Sequence, residues 1–410
     1  MHDFQLWPTI WTILIVFGAI MTAAGFLVYV ERKICAYMQN RIGPNRVGPA
    51  GLFQSVADLL KFIFKEDIIP ANVDKVVFVL APCIAVSTAL LSFVVVPFGA
   101  VEPPPDPPIM QPVPSHLSHP QEHVAIRAEN AAKMKQYESA MDAYRKSYQF
   151  VMAPNVDIGI LFIFAVSSLA VYGIILGGWA SNNKYSLLGG LRSSAQIISY
   201  EIPLGLSIIG VVLLCGSLNL ERIIWRQAEH GILGWNIWYQ PLALLLFMIS
   251  AFAECNRLPF DLPETEQELV GGYHTEYNAW KLACFFLGEY THMVTTSFLM
   301  VILFLGGWHL PWLAATDSHW LSKLFVFAGK VTVMILFYML IRWTIPRFRF
   351  DQLMGLAWKV LIPLALVNLV MVMVVKEFHL ALWWLLPATI VALIVAAALA
   401  AAPRAATRYG

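Results

Sequence analysis

"LWPTIWTILIVFGAIMTAAGFLVYV", residues 6–30, decides the fold. It has no charged side chain and exceeds the roughly 20 apolar residues needed to cross a bilayer. No basic stretch precedes it, and it is too long for the core of a signal peptide, so it reads as a retained helix. Blocks of the same kind recur along the 410 residues, of which 59% are apolar and 13% charged. A soluble domain is nearer half apolar and a quarter charged. The expected class is an all-α polytopic membrane protein.

Working outward, the apolar blocks predict about nine transmembrane helices, at about 7–29, 76–98, 154–179, 196–217, 239–254, 282–306, 323–344, 357–375 and 380–402. Arg32, Lys33, Arg41, Arg46, Lys61, Lys65 and Lys75 then fall in the loop after the first helix. Arg347 and Arg349 follow the seventh, and Arg404 and Arg408 are in the tail. All lie on one side, which is therefore the cytoplasmic one. On that side "AGLFQSVADLLKFIFK" (50–65) sets Gln54, Asp58, Lys61 and Lys65 on one helical face. At about 24 Å it is too short to span, and it reads as an amphipathic surface helix or a loop helix packed on the bundle.

Three regions follow. Residues 1–100 hold two spans and the surface helix, 101–153 form an outer-face insertion, and 154–410 hold seven spans with an acidic inner loop at 254–281. The insertion opens "VEPPPDPPIMQPVPSHLSHP", an extended polyproline-like linker. "QEHVAIRAENAAKMKQYESAMDAYRKSYQF" after it is rich in helix formers and predicts a solvated helix, either a partner-docking element or a tolerated insertion.

Composition also excludes. The net charge is +1 and the basic residues sit between apolar blocks, so no nucleic-acid surface is expected. The five cysteines are scattered, without a C-x-x-C pair, which predicts no metal or iron–sulfur cluster bound by this chain. Gly-Gly pairs at 177–178, 189–190 and 271–272 lack the strand–turn–helix context of a nucleotide loop.

Charges within membrane helices are costly and each suggests function. Glu201, beside Tyr200 and Pro203, falls at the opening of the predicted fourth span, either in a hydrated interior or at the water interface. Glu289 lies well inside the sixth. Arg342 is near the inner end of the seventh and either snorkels or acts. The inner loop, "AECNRLPFDLPETEQELVGGYHTEY" (253–277), sets Glu254, Asp261, Glu264, Glu266, Glu268 and Glu276 against one arginine, Arg257. Pro259 and Pro263 make it a shaped loop. Glu264 and Glu268 are four apart, a like-charge pair that a solvated loop tolerates and a buried cavity converts into proton-exchanging groups.

Together with "ERKICAYMQNRIGPNRVGPAGLFQSVADLLKFIFKEDIIP" (31–70) and "PRFRFDQLMGLAWK" (346–359), that loop resembles the quinone-seating membrane subunit family of respiratory complex I. In bacteria the family is the H subunit of NADH-quinone oxidoreductase, and in mitochondria it is the NADH–ubiquinone oxidoreductase chain 1. The resemblance covers nearly the whole chain. The insertion is longer than the family's loop there, and the ninth helix with its Ala-rich tail favours a bacterial inner-membrane form over the mitochondrial one.

The resemblance implies a quinone chamber whose mouth involves Arg32, Asp58, Phe286 and Tyr290, with Arg342, Arg347 and Arg349 nearby. It implies a coupling loop formed by Glu254, Arg257, Asp261, Glu264, Glu266 and Glu268, and membrane carboxylates Glu201 and Glu289, with Tyr200 supporting, that continue the acidic path. Quinone would be the substrate, with NADH, flavin and iron–sulfur clusters in partner subunits of the membrane and hydrophilic arms. The alternatives are the homologous subunit of a membrane-bound hydrogenase, a stand-alone cation transporter, and a structural anchor. A transporter is disfavoured by the absence of an internal repeat, and an anchor gives no reason for Glu289.

Overall fold

The computed structural model describes residues 6–99, 101–103, 105–106, 108–110, 120–146, 151–154, 156–262, 269–315 and 318–401. Among these there is no β-strand, only an isolated bridge between Leu310 and Ala314. The helices are α1 (Leu6–Met38), α2 (Gln54–Phe64), α3 (Lys75–Leu91), α4 (Pro120–Lys146), α5 (Gly159–Ala180), α6 (Lys184–Cys215), α7 (Leu220–Ala228), α8 (Asn236–Tyr239) and α9 (Pro241–Glu254). After the inner loop come α10 (Ala279–Phe304), α11 (Trp320–Thr344), α12 (Phe350–Leu356), α13 (Ile362–Glu377) and α14 (Leu385–Ala401). A π-turn at Ala357–Leu361 joins α12 to α13 in one span.

Seven helices among the described residues are long and apolar enough to cross a membrane, and α9 and α14 are shorter apolar helices at the two remaining predicted places. The fold is all-α and polytopic. Two boundaries differ from expectation in ways that matter. The first helix runs on to Met38, so Arg32 and Lys33 are helical and not in a loop. The fourth span begins at Lys184, where the Asn183 side chain caps it by accepting from Tyr185 N at 3.0 Å, and ends at Gly216 with φ +70°. Glu201 is therefore midway along a 32-residue helix and not at its opening.

Why the polar, glycine-rich start of α6 is helical becomes clear from its packing. The Gly-Gly pairs that lack a nucleotide-loop context meet one another. A Cβ on Gly178 of α5 would stand 2.7 Å from Ser186 O and 3.3 Å from Gly190 Cα. One on Gly189 would stand 2.5 Å from Gly272 Cα and 2.9 Å from Tyr273 N. Small residues let backbones approach where lipid offers no hydrophobic drive between helices. Gly189→Ala sets side chain against backbone that cannot rotate away, an overpacking of about 1–3 kcal/mol. We expect a lower melting midpoint of the solubilised protein and faster proteolysis of the inner loop, followed by mass spectrometry.

The core threads Tyr200, Phe247, Phe304, Trp308, Phe327 and Tyr338, all fully buried, between α6, α9, α10 and α11. Exposed Trp11, Leu14 and Ile15 on α1, and Val367, Val370 and Val374 on α13, face outward as lipid-contacting surface does. The described residues of α4 are mostly exposed, while three residues of the insertion are tied to the bundle. Val101 is buried, Asp106 pairs with Arg222 at 3.1 Å, and Tyr144 Oη donates to the buried Glu221 at 2.8 Å.

Candidate functional site: a buried arginine–carboxylate cluster and the acids behind it

The three sequence strings that carry the family resemblance are 31–70, 253–277 and 346–359, and the fold brings them to one place. Gln196 of α6 holds the inner loop from within, its Nε2 donating to Ala253 O at 2.8 Å and to Phe260 O at 2.7 Å. The loop is then stitched to the segment before α12. Phe348 N donates to Pro259 O at 3.2 Å, Arg347 Nη2 donates to Asp261 Oδ2 at 3.1 Å, and the Phe260 and Phe348 rings lie 5.6 Å apart. Asp261 is buried.

The first string joins through Glu31, in the last third of α1. Its carboxylate accepts from Arg342 in a short contact, from Tyr290 Oη at 2.7 Å, and from Arg257 Nη1 at 3.4 Å. The Arg257 guanidinium lies 4.1 Å from the Tyr290 ring centroid, a cation–π contact. Side-chain exposure is 7% for Glu31 and 9% for Arg257, so these are dehydrated charges. Arg342 thus turns inward to a partner and does not snorkel. Burial works to lower Arg257, but Tyr290, Glu31 and Glu289 outweigh it and raise its pKa above the ordinary value. Two arginines are thus balanced by two carboxylates, one in direct contact and one through space.

Beyond Arg257 the acids continue inward. Glu254 and Glu289 line a cavity of about 40 Å³ together with Ser167, Asn256, Tyr273 and His292. That is room for a water or more by the usual threshold of about 10–15 Å³. The charge of Glu201 acts on Glu254, and the Glu201 carboxylate accepts a short hydrogen bond from Ser168 of α5. Tyr200 beside it donates to Leu353 O at 2.9 Å, fixing α6 to α12.

On the other flank, Arg32 pairs with Asp58 at 2.6 Å, and Gln54 Nε2 supports the same carboxylate at 3.2 Å. Tyr29 Oη donates to Ala50 O at 2.8 Å, so the segment entering α2 is pinned along the end of α1. Lys281, at the start of α10, closes the third side on Asp67. Phe286 sits 5.5 Å from the His274 ring, whose imidazole burial pushes down to about 3. Arg349 stands exposed at the N-cap of α12, its backbone N–H donating to Gln352 Oε1 at 3.2 Å. Glu276 accepts from Asn183 Nδ2 at 2.8 Å, tying the loop's end to the α6 cap.

The fold therefore assembles Arg257, Tyr290 and Arg342 around Glu31, Arg347 with Asp261, Arg32 with Asp58, and Glu254 with Glu289. Phe286 and Arg349 stand at the edges. Glu264, Glu266 and Glu268 lie outside the described residues. Two groups escape sequence reasoning. Glu31 escapes because a first helix ending at residue 29 leaves it in a loop, although a carboxylate beside an apolar run is itself a signal. His292 sits three residues after Glu289, the spacing that shares a helix face. Among the described residues no group of three or more His, Cys, Asp or Glu is arranged to hold a metal ion.

With that geometry in hand, comparison with known proteins is decisive for the family. The NADH dehydrogenase family model matches residues 11–373. The second H subunit of NADH-quinone oxidoreductase from Koribacter versatilis is 43% identical over 370 residues, covering 89% of this chain and 96% of the relative. The first H subunit of NADH-quinone oxidoreductase from Geobacter metallireducens is 44% identical over 357 residues, covering 87% and 93%. NADH-quinone oxidoreductase subunit 8 of Rhodothermus marinus is 41% identical over 379 residues, covering 89% and 97%. The chain belongs to the NADH dehydrogenase family, among relatives named as the H subunit of NADH-quinone oxidoreductase.

Proposed function

We propose that this chain is the quinone-chamber membrane subunit of a proton-pumping NADH:quinone oxidoreductase, and that its buried acids couple quinone reduction to proton movement. It is a multi-pass protein of the bacterial inner membrane and a subunit of the complex I enzyme, as its bacterial relatives are named. The observation that carries the finer reading is the Glu31–Arg257–Arg342–Tyr290 cluster backed by the Glu254–Glu289 cavity. Nothing in the geometry favours the hydrogenase or transporter reading.

Reducing a quinone by two electrons builds negative charge that a low-dielectric chamber does not tolerate until protons arrive. Arg32, Arg342 and Arg347 at the chamber's rim answer that charge. Any shift of Arg342 toward it leaves Glu31 with one cation fewer, and Glu31 shares Arg257 electrostatically with Glu289. Protonation of Glu289, Glu254 and then Glu201 is the way such an imbalance is relieved. Asp261, Glu264, Glu266 and Glu268 are assigned to the loop end of the same path, with Tyr200 and Phe286 as supporting walls and Arg349 at the outer rim. NADH, flavin and iron–sulfur chemistry belongs to partner subunits of the membrane and hydrophilic arms.

The chamber assignment is tested by photolabelling native membranes with an azidoquinone and mapping the modified peptides. Modification within 26–38, 54–64 or 283–293, competed away by the unmodified quinone, is the expected result. Competable labelling confined to other subunits would remove the chamber from this chain.

A further inference from the structure

A second cavity, of about 650 Å³, opens on the face opposite the acidic loop and is partly built by the 101–153 insertion. Its level is set by three helix ends. Gly216 and Ser217 follow the last residue of α6, Asp157 precedes α5, and Lys376 is one residue from the end of α13. Spanning helices end where the hydrocarbon gives way to lipid headgroups, so a cavity at these ends is within reach of a headgroup. Toward the bilayer the wall is apolar, from Val212, Leu213 and Leu218, and on the insertion side it is made by Pro105, Tyr137 and Met141.

Two cations line it. Lys376 donates one N–H to Leu213 O at 2.7 Å, which fixes the ammonium at the wall and leaves two donors. Arg222 is held by Asp106 through Nη1 at 3.1 Å, and its side chain is 32% exposed at the lining. Arginine presents a fork suited to phosphate, with lysine as a second point charge. Asp157, exposed on the same lining, supplies the opposite charge.

We propose that this cavity binds the headgroup of a zwitterionic aminophospholipid of the outer leaflet. The phosphate sits on Arg222 and Lys376, the ammonium on Asp157, and the glycerol against Val212 and Leu213. Pro105, Tyr137 and Met141 then cover the headgroup from the insertion side, and the lipid is specific because both signs of charge are met.

The test uses the whole complex reconstituted in phosphatidylethanolamine–phosphatidylglycerol vesicles with a trace of phosphatidylethanolamine bearing a diazirine near its glycerol. After illumination, labelled peptides are mapped. Labelling is expected at 137–141 and 212–218. Lys376→Gln should reduce it about fivefold, the loss of one membrane-surface cation contact. Met141→Trp, which narrows the cavity beside the glycerol position and leaves both cations in place, should also reduce it. Labelling of the lipid-facing stretch 366–374 should stay constant in both variants. Unchanged labelling at 137–141 and 212–218 in both variants would overturn the site. So would equal labelling by a phosphatidylglycerol probe, or displacement by inorganic phosphate, which would make the ligand a soluble anion.

Discussion

Glu31→Gln is expected to be among the costliest single changes in this chain. The glutamine keeps the shape but removes the charge that Arg257 and Arg342 share, and both guanidinium groups stay largely dehydrated. Breaking a buried ion pair by removing one partner typically costs about 3–5 kcal/mol, because the surviving charge is left uncompensated. In membranes this should appear as a several-fold loss of assembled complex on native gels, with a lowered melting midpoint for what remains. Removing Arg342 as well, in Glu31→Gln with Arg342→Met, should recover part of the loss, since one of the stranded cations has gone. Wild-type assembly in the single variant would mean that the cluster is hydrated and not a closed ion-pair site.

Gln196→Leu is the second. The side chain is fully buried and its amide serves two carbonyls, Ala253 O and Phe260 O, at opposite ends of the turn that leaves α9. Leucine fills the volume and strands both acceptors. Each unsatisfied buried group costs about 1–3 kcal/mol, so a total of roughly 2–6 kcal/mol is expected. The consequence should be local before it is global. Residues 253–262 would lose protection in hydrogen exchange while α10 and α11 keep theirs, and the Arg347–Asp261 contact would loosen with them. Gln196→Glu keeps a polar group of the same shape but offers acceptors where donors are needed, so it should fare no better. If the leucine variant exchanges like wild type, the loop is held by its other contacts alone.

How much of this is legible in the sequence depends on the kind of information each part needs. The spans are legible because the bilayer acts on length and composition, both local properties. The start of α6 is not. "KYSLLGGLRSSAQ" is too polar for a hydropathy reading, and it is helical because Gly178, Gly189 and Gly272 allow backbone contact that only the tertiary structure reveals. The misplacement of Glu201 follows from that error. α9 shows the reverse. Its 14 residues, about 21 Å of helix, are short for a span, and the chain continues inward as the buried turn through Asn256 and Arg257.

The candidate site is legible as an inventory of charges and illegible as a set of pairs. Arg342 stands out by being charged at the end of an apolar span, and Arg257 by being the one arginine in an acidic loop. That Arg342 meets a carboxylate 311 positions earlier depends on α1, α10 and α11 packing together, which no local pattern states. Glu31 goes unnoticed for the same reason. The insertion reads as either a docking element or a tolerated loop, and its anchoring through Tyr144 and Asp106 becomes visible only with Glu221 and Arg222 in place.

The central claim is that the buried acids carry protons set in motion by quinone reduction. The most direct measurement compares inside-out membrane vesicles from wild type and Glu289→Gln, with assembly checked by immunoblot. NADH-to-quinone electron transfer and interior acidification are followed in the same sample, and a surface variant on α4, Lys133→Gln, serves as control. The prediction is that Glu289→Gln assembles yet loses acidification, with electron transfer falling alongside because the two are coupled, while Lys133→Gln behaves as wild type. Full electron transfer and full acidification in assembled Glu289→Gln would contradict it, and would leave the Glu254–Glu289 cavity as a packing feature of the bundle.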